Sequence, residues 1–591
     1  MSDKNIQPII KNIWFLILFI NIGCFSCKKG EPIPIPTWTV DQVSISTDKA
    51  CYKPNEQVTF NIDNHLPATT KIRYKYLNET IYETSLNGLT WNWKVPSDDF
   101  KGYMIDLYDI INGAEKIYGS IAVDVSSSWS HFPRYGFLSK YPKLADSEME
   151  IVMNNLNRYH INGIQFYDWE YKHHLPLAGT NTNPFSIWKD IMNRDTYLST
   201  VKQYINLSHQ HGMMAMFYNL GFGALNDAYY DGVSEQWFLY TDKNHVNRDQ
   251  FNLPCPPFKS NIYLLDPSNI GWQNYIGAKN NDVYSVFNFD GFHIDQLGDR
   301  GKALFTYTGN TINLDEAYPS LIESMKRTAS DKKLVMNAVN QYGQQGIVSK
   351  PVEFLYTEVW SPNEGYKNLA DIITANDALS NNSKKTVLAA YMNYDLANNP
   401  GYFNTPGVLL TDAVIFAFGG SHLELGEHML SKEYFPNENL QMNNDLKTSL
   451  SKYYDFLVAY ENLLRDGGIF NNPTITSSGN QLQLANWPPQ SGKVAVIGKD
   501  FSSKQVLHLI NFANAISFDW RDKNGTQTIP KTIQNCTLYF STNKTVSKVW
   551  YASPDVNFGT SSKLAFTQSG NQVSFILPSL QYWDMIVIEY Q

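Results

Sequence analysis

Two spacings of apolar residues divide this chain. Up to about residue 125, apolar and polar positions alternate in short runs: Val40 to Ile45, Val58-Thr59-Phe60-Asn61-Ile62 and Lys71 to Tyr76, with a turn at Thr47-Asp48-Lys49. A period of two is that of a half-buried strand. Short strands at this spacing predict an immunoglobulin-like β-sandwich over residues 38–125. From Ser126 the runs become continuous and alternate with helical stretches such as Asp146 to Tyr159 and Ser199 to His211. Eight runs are visible: Tyr135 to Leu138, Gly163 to Tyr167, Met213 to Tyr218, Gly291 to Ile294, Leu334 to Asn337, Phe354 to Thr357, Val387 to Met392 and Ala413 to Phe418. Parallel strands buried on both faces read this way. Eight β-then-α units predict a central (β/α)8 TIM barrel over residues 126–466, closed by a helix near Asp445 to Leu464. After Asp466-Gly467-Gly468, the runs Val494 to Ile497, Val506 to Ile510, Val546 to Tyr551, Val573 to Leu577 and Met585 to Glu589 predict a C-terminal β-sandwich over 467–591. The fold class is therefore multidomain.

The first residues follow a different logic. Lys4 and Lys11 precede an apolar run from Ile13 to Ile20 that is too short to span a bilayer. Cys24 and Cys27 follow, each after a small residue, as in a bacterial lipoprotein signal. The polar stretch behind Cys27 favours it as the lipidated residue, with residues 1–26 as signal and 27–37, containing the Pro-rich Gly30 to Pro36, as linker. The alternative is an ordinary cleaved signal. The implied location is the cell envelope, as an outer-membrane lipoprotein, or outside the cell. Cys51, Cys255 and Cys536 are too scattered for a disulfide framework or a zinc site. The net charge of −9 argues against a nucleic-acid partner. Aromatics at 14%, with 37 Tyr and 14 Trp, suit stacking under sugar rings, although β-rich domains also use many.

Barrel enzymes place their sites at the C-terminal ends of the strands. The residues there are Tyr167, Asp168, Asn219, His293, Asp295, Gln296, Asn337, Glu358, Trp360, Asn393, His422 and Glu424. Carboxylates, amides and aromatics describe a sugar site, whereas a phosphate site would show Gly-rich nests with Lys or Arg. Cutting a glycosidic bond needs two carboxyl groups. Asp295, which shares a strand face with His293, is the nucleophile candidate, with Asp299 behind it. Glu358 is the acid/base candidate, with Glu364 behind it. A strand-end Asp also serves as a helix cap, and the Asn-rich strand ends also suit structural hydrogen bonding. His173-His174 reads as a loop pair rather than a metal site, and Tyr453-Tyr454-Asp455-Phe456 as core. No cofactor or metal is expected.

These residues carry a resemblance. Ser130 to Leu138, His160 to Trp169 followed by Tyr171-Lys172-His173-His174, Asp290 to Asp299, Tyr356-Thr357-Glu358-Val359-Trp360 and Gly419 to Gly426 resemble, in order, motifs of glycoside hydrolase family 66. The resemblance implies a retaining enzyme on α-1,6-glucan, either an endo-dextranase or a cycloisomaltooligosaccharide glucanotransferase, with Asp295 as nucleophile and Glu358 as acid/base. The transferases typically carry a large carbohydrate-binding insertion within the barrel. None is visible here, which favours dextranase. The expected partners are dextran and isomaltooligosaccharides, with the membrane touched only through the lipid and the chain monomeric. Rival readings are a transglycosylase on the same machinery, a hydrolase of another α-glucoside and a non-catalytic surface glycan-binding lipoprotein.

Overall fold

A computed structural model describes residues 41–480 and 482–591. The signal segment, the linker and Cys27 lie outside them. No helix among the described residues is long and apolar enough to cross a membrane.

Two antiparallel sheets form the N-terminal region. One joins Ile45–Thr47, Gln57–Ile62 and Thr90–Lys94; the other joins Glu79–Ser85, Lys71–Tyr76, Lys101–Ile111 and Ala114–Val125 in that order. The C-terminal region also has two sheets. One is built around Val494–Phe501, Lys504–Asn511, Trp583–Tyr590 and Val546–Ala552, the other around Ile533–Ser541 and Gln572–Leu580. Leu507, Leu509, Leu538, Phe575 and Ile586 meet in the core between them.

The middle region holds eight parallel strands: β1 (Tyr135–Leu138), β2 (Gly163–Phe166), β3 (Met214–Leu220), β4 (Gly291–Asp295), β5 (Lys333–Met336), β6 (Leu355–Glu358), β7 (Thr386–Ala389) and β8 (Ser421–His422). They pair in chain order from β1 to β5 and from β6 to β8. Parallel bridges close both gaps, Asn337 with Tyr356 and Phe137 with Gly426. A helix comes after each strand: α1 (Asp146–Arg158), α2 (Leu198–Gln210), α3 (Ile270–Val286), α4 (Leu314–Thr328), α5 (Gln344–Ile347), α6 (Tyr366–Leu379), α7 (Thr405–Ala417) and α8 (Asn444–Ala459). Strands β1, β2 and β7 are buried at every position, which explains their mostly apolar runs. Tyr135, Met216, Val335, Tyr356 and Val387, from five strands, pack into one cluster. Helix α1 instead buries one stripe, Met149, Met153 and Leu156.

One predicted strand is not a strand. Ala413 to Phe418 lies at the end of α7, and β8 is the short pair Ser421–His422 just beyond it. All thirteen residues of α7 are buried. A helix covered on every side loses its polar stripe, and its short apolar stretches then read like a buried strand. Asn404 starts this helix by accepting from the Gly407 amide at 2.8 Å.

Candidate active site

The C-terminal ends of the ring strands open into a cavity of about 740 Å³. Asp295 is the last residue of β4 and Glu358 the last of β6, and both line it. Between them stands Asn337, just after β5. Its Nδ2 donates to Asp295 Oδ1 at 2.9 Å and to Glu358 Oε2 at 3.1 Å. One shared nitrogen keeps those two oxygens within about 6 Å of each other, near enough for the two carboxyls to flank one glycosidic bond. Tyr218 of β3 donates to Asp295 Oδ2 at 2.7 Å, and Tyr391, beyond β7, donates to Glu358 Oε1 at 2.7 Å. Each carboxyl is thus held by both oxygens.

Burial, then the charge of Asp295, pushes the Glu358 carboxyl up to about 7. Burial also raises Asp295, with the Asn337 and Tyr218 hydrogen bonds pulling it back. The environment therefore favours the protonated form of Glu358 more than water does, and that is the form a general acid needs.

Other predicted residues join the pair. His293 lines the cavity, with Nδ1 at 3.3 Å from the Tyr135 hydroxyl, and burial lowers it to about 3, so the ring is neutral. Tyr167 stacks on Phe435 at 4.2 Å between ring centres. Trp360 forms part of the wall beside Tyr391, 5.4 Å away. Asp168 lines the cavity in a left-handed conformation, φ 47°. Burial and the nearby Glu170 push its carboxyl well above the ordinary range. Gln296 also lines the cavity, but its Oε1 accepts from Tyr318 at 3.2 Å and its Nε2 donates to the Asn337 carbonyl at 3.3 Å.

Four predicted sugar ligands do not line the cavity. Asn219 is fully buried behind His173, its Oδ1 2.9 Å from His173 Nδ1, and it is the His173 ring that reaches the cavity. Asn393 donates to the Asp522 carbonyl at 2.7 Å, so its partner is the C-terminal region. His422 sits between Asp412 Oδ1 and the Ala390 carbonyl, both at 2.8 Å. Glu424 accepts from Tyr454 at 2.9 Å, and burial together with Asp412 pushes it up to about 8. In these four, another buried polar group claims the side chain away from the cavity. The reserve carboxylates are also elsewhere: Glu364 pairs with Lys523 at 2.7 Å, and Asp299 accepts from the Gly301 amide at 2.8 Å.

His173 and His174 are the central residues of a tight turn closed by Lys172 and Leu175, and their rings go to different partners. His174 reaches Asp231 at 2.9 Å, with Asp227 beside it. The Lys172 ammonium already sits 2.6 Å from Asp227 and 2.7 Å from Asp231, filling the place of a cation. The tyrosines of the Tyr453 to Phe456 stretch are core, as expected, while Asp455 binds the Ala122 amide and the Arg158 guanidinium.

Tyr218, Tyr391, Glu433 and Tyr434 also line the cavity and were not expected there. Of the three tyrosines, Tyr218 ends one apolar run and Tyr391 lies one residue before the end of another, so both read as core. The signal for Tyr218 was the parity that put His293 and Asp295 on one face, since Tyr218 pairs with His293 across β3 and β4.

The model of glycosyl hydrolase family 66 matches residues 47–587. A cycloisomaltooligosaccharide glucanotransferase of Niallia circulans is 27% identical, covering 92% of this chain and 71% of that protein. A dextranase of Streptococcus salivarius is 25% identical over 79% of this chain and 65% of its own. The crystal structure of a Paenibacillus sp. cycloisomaltooligosaccharide glucanotransferase, complexed with cycloisomaltoheptaose, shares the fold at a TM-score of 0.85 and 24% identity, covering 92% of this chain and 99% of that one. A family match over nearly the whole described chain, with both motif carboxyls facing one cavity, places this protein in glycosyl hydrolase family 66.

Proposed function

We propose that the chain is a retaining endo-hydrolase of α-1,6-glucosidic linkages in dextran, working at the mouth of a closed (β/α)8 barrel flanked by β-sandwiches. The observation that carries this reading is the single Asn337 nitrogen bonded to both Asp295 and Glu358. Asp295 attacks the anomeric carbon as Glu358 gives its proton to the glycosidic oxygen, which departs with the bonding pair. Water then attacks the glycosyl-enzyme ester, Glu358 takes its proton, and the Asp295 carboxylate leaves. Two inversions return the starting configuration.

The names of the relatives support α-1,6-glucan as substrate class, and the alignment supports hydrolysis over transfer. It runs over 703 positions for 92% of a 591-residue chain, so the Niallia transferase carries long segments with no counterpart here. The second reading is transglycosylation to cyclic isomaltooligosaccharides, favoured by the transferase names among the relatives. Incubation with dextran, starch and pullulan, followed by product sizing and proton NMR, tests both. Linear isomaltooligosaccharides from dextran alone, with the α-anomer first, are expected. Cyclic products move the protein to the second reading, and early β-anomer removes the retaining mechanism.

Attachment through Cys27 belongs to the same proposal. Cys27→Ala should shift active protein from the membrane to the soluble fraction, whereas release by Cys24→Ala instead would identify the other cysteine.

A further inference from the structure

The cavity wall beside Glu358 is held from outside the ring. The segment between C-terminal strands Lys504–Asn511 and Ile533–Ser541 reaches back to the strand ends. Trp520 donates through Nε1 to the Asn363 carbonyl at 2.7 Å and through its amide to the Glu364 carbonyl at 3.0 Å. Arg521 donates through Nη2 to the Val359 carbonyl at 2.8 Å and through Nη1 to the Tyr391 carbonyl at 3.4 Å. Its guanidinium carbon stands 5.0 Å from the Trp360 ring centre and 5.4 Å from that of Tyr394. Asn393 ties the same segment down, its amide donating to the Arg521 carbonyl at 2.8 Å.

Arg521 is only 2% exposed, and among the described residues no carboxylate lies within ion-pair distance of its guanidinium. A buried cation without a counterion costs stability. What it receives instead is two carbonyls and the faces of Trp360, Tyr394 and its neighbour Trp520, and of these partners Trp360 and Tyr391 line the cavity. Val359 comes directly after Glu358, Trp360 lines the cavity, and Tyr391 donates to Glu358. A planar fork clamps two strand ends at once in a way an ammonium does not.

We propose that Arg521, supplied by the C-terminal region, is a positioning residue for the acid/base: it clamps the ends of β6 and β7 so that Tyr391 stays on Glu358 and Trp360 stays in the sugar-facing wall. This rests on Glu358 being the acid/base.

The test compares Arg521→Ala, Arg521→Lys and Glu358→Gln in the full chain, on dextran and on an α-isomaltosyl fluoride whose leaving group needs no proton. Arg521→Ala should lose roughly ten- to a hundred-fold in kcat on dextran, the scale of an ångström of misplacement, and far less on the first step with the fluoride. Its alkaline pH limb should move upward, because the Tyr391 hydrogen bond that lowers Glu358 loosens. Guanidinium chloride at low millimolar concentration should restore part of the Arg521→Ala rate, and Arg521→Lys should remain impaired at near-normal Tm. If Arg521→Ala does not fold, Arg521→Lys decides: wild-type kcat and pH limb overturn the proposal. A lowered Tm with unchanged kcat and pH limb in either variant also overturns it. If Glu358→Gln loses the fluoride reaction as well, the acid/base assignment itself falls. If Glu358→Gln behaves as an acid/base variant and neither Arg521 variant shares its pattern, only the clamp falls.

Discussion

Asn337 shows how much one side chain decides. Its amide nitrogen has two hydrogens and spends one on each carboxyl, while its Oδ1 accepts from the Glu358 amide at 3.3 Å. The two acids therefore share an orienting group but differ in environment, and Glu358 stands at about 7. On the proposed mechanism that value sets an alkaline limb: as pH rises through about 7, Glu358 loses the proton a general acid donates, and kcat/KM should fall. The Tyr391 hydrogen bond stabilises the charged form of Glu358 and so lowers its value. Tyr391→Phe should move the alkaline limb upward by roughly half a unit to one unit, with kcat reduced several-fold. A pH profile on dextran checks this, and an unmoved or downward limb refutes it. At this scale the two acids were legible because each ends a strand run, and period two carried His293 with Asp295. The tyrosines were not legible. A hydroxyl at the end of an apolar run gives no sign of whether it meets a carboxylate or the core.

At the scale of elements, the first seven parallel strands were legible to within three residues, because burial on both faces leaves few polar residues inside them. The eighth was not, since α7 is as apolar as a strand and β8 is only two residues long. With so short a strand, ring closure falls to Leu425 and Gly426 just beyond it. Phe137 of β1 donates to the Leu425 carbonyl at 3.1 Å and bridges Gly426. A Cβ on Gly426 would stand 2.4 Å from the Phe137 carbonyl oxygen and 2.7 Å from its ring. Backbone on one side and a packed ring on the other leave no room to yield. Gly426→Ala should therefore cost about 1–3 kcal/mol, the usual penalty for overpacking. Chemical denaturation measures it. Unchanged stability would mean that the β1–β8 seam gives way freely and does not close the ring tightly.

Across the whole molecule, contacts from one region to another were the least legible, because their partners lie more than a hundred residues apart. Asn393 was read as a sugar ligand and instead holds Asp522; nothing near either residue announces the other. Asp455 on α8 is the clearest such node. It accepts from the Ala122 amide in the N-terminal strand Ala114–Val125 at 2.9 Å, from Arg158 at the end of α1 at 2.7 Å, and lies 2.8 Å from His160 Nε2. Burial pushes its carboxyl up, but Arg158 and His160 outweigh burial and hold it below the ordinary range. A carboxylate depressed in the folded state adds stability above its unfolded value, and that stability is lost as pH falls through the folded value. Asp455→Ala leaves a buried amide, an imidazole and a guanidinium without their acceptor. The loss should approach about 3 kcal/mol at pH 7, towards the lower end for a broken buried pair because Arg158 keeps some solvent. The gap to the wild type should hold at neutral pH and narrow below about pH 4, where Asp455 is protonated in the unfolded wild-type chain and begins to be so in the folded one. Asp455→Asn keeps an acceptor for Ala122 and should lose less. Hydrogen exchange at the Ala122 amide reads the joint directly, with faster exchange expected in Asp455→Ala than in Asp455→Asn. Equal exchange and equal stability in both variants and the wild type would show that the N-terminal sheet and the middle region are held together elsewhere.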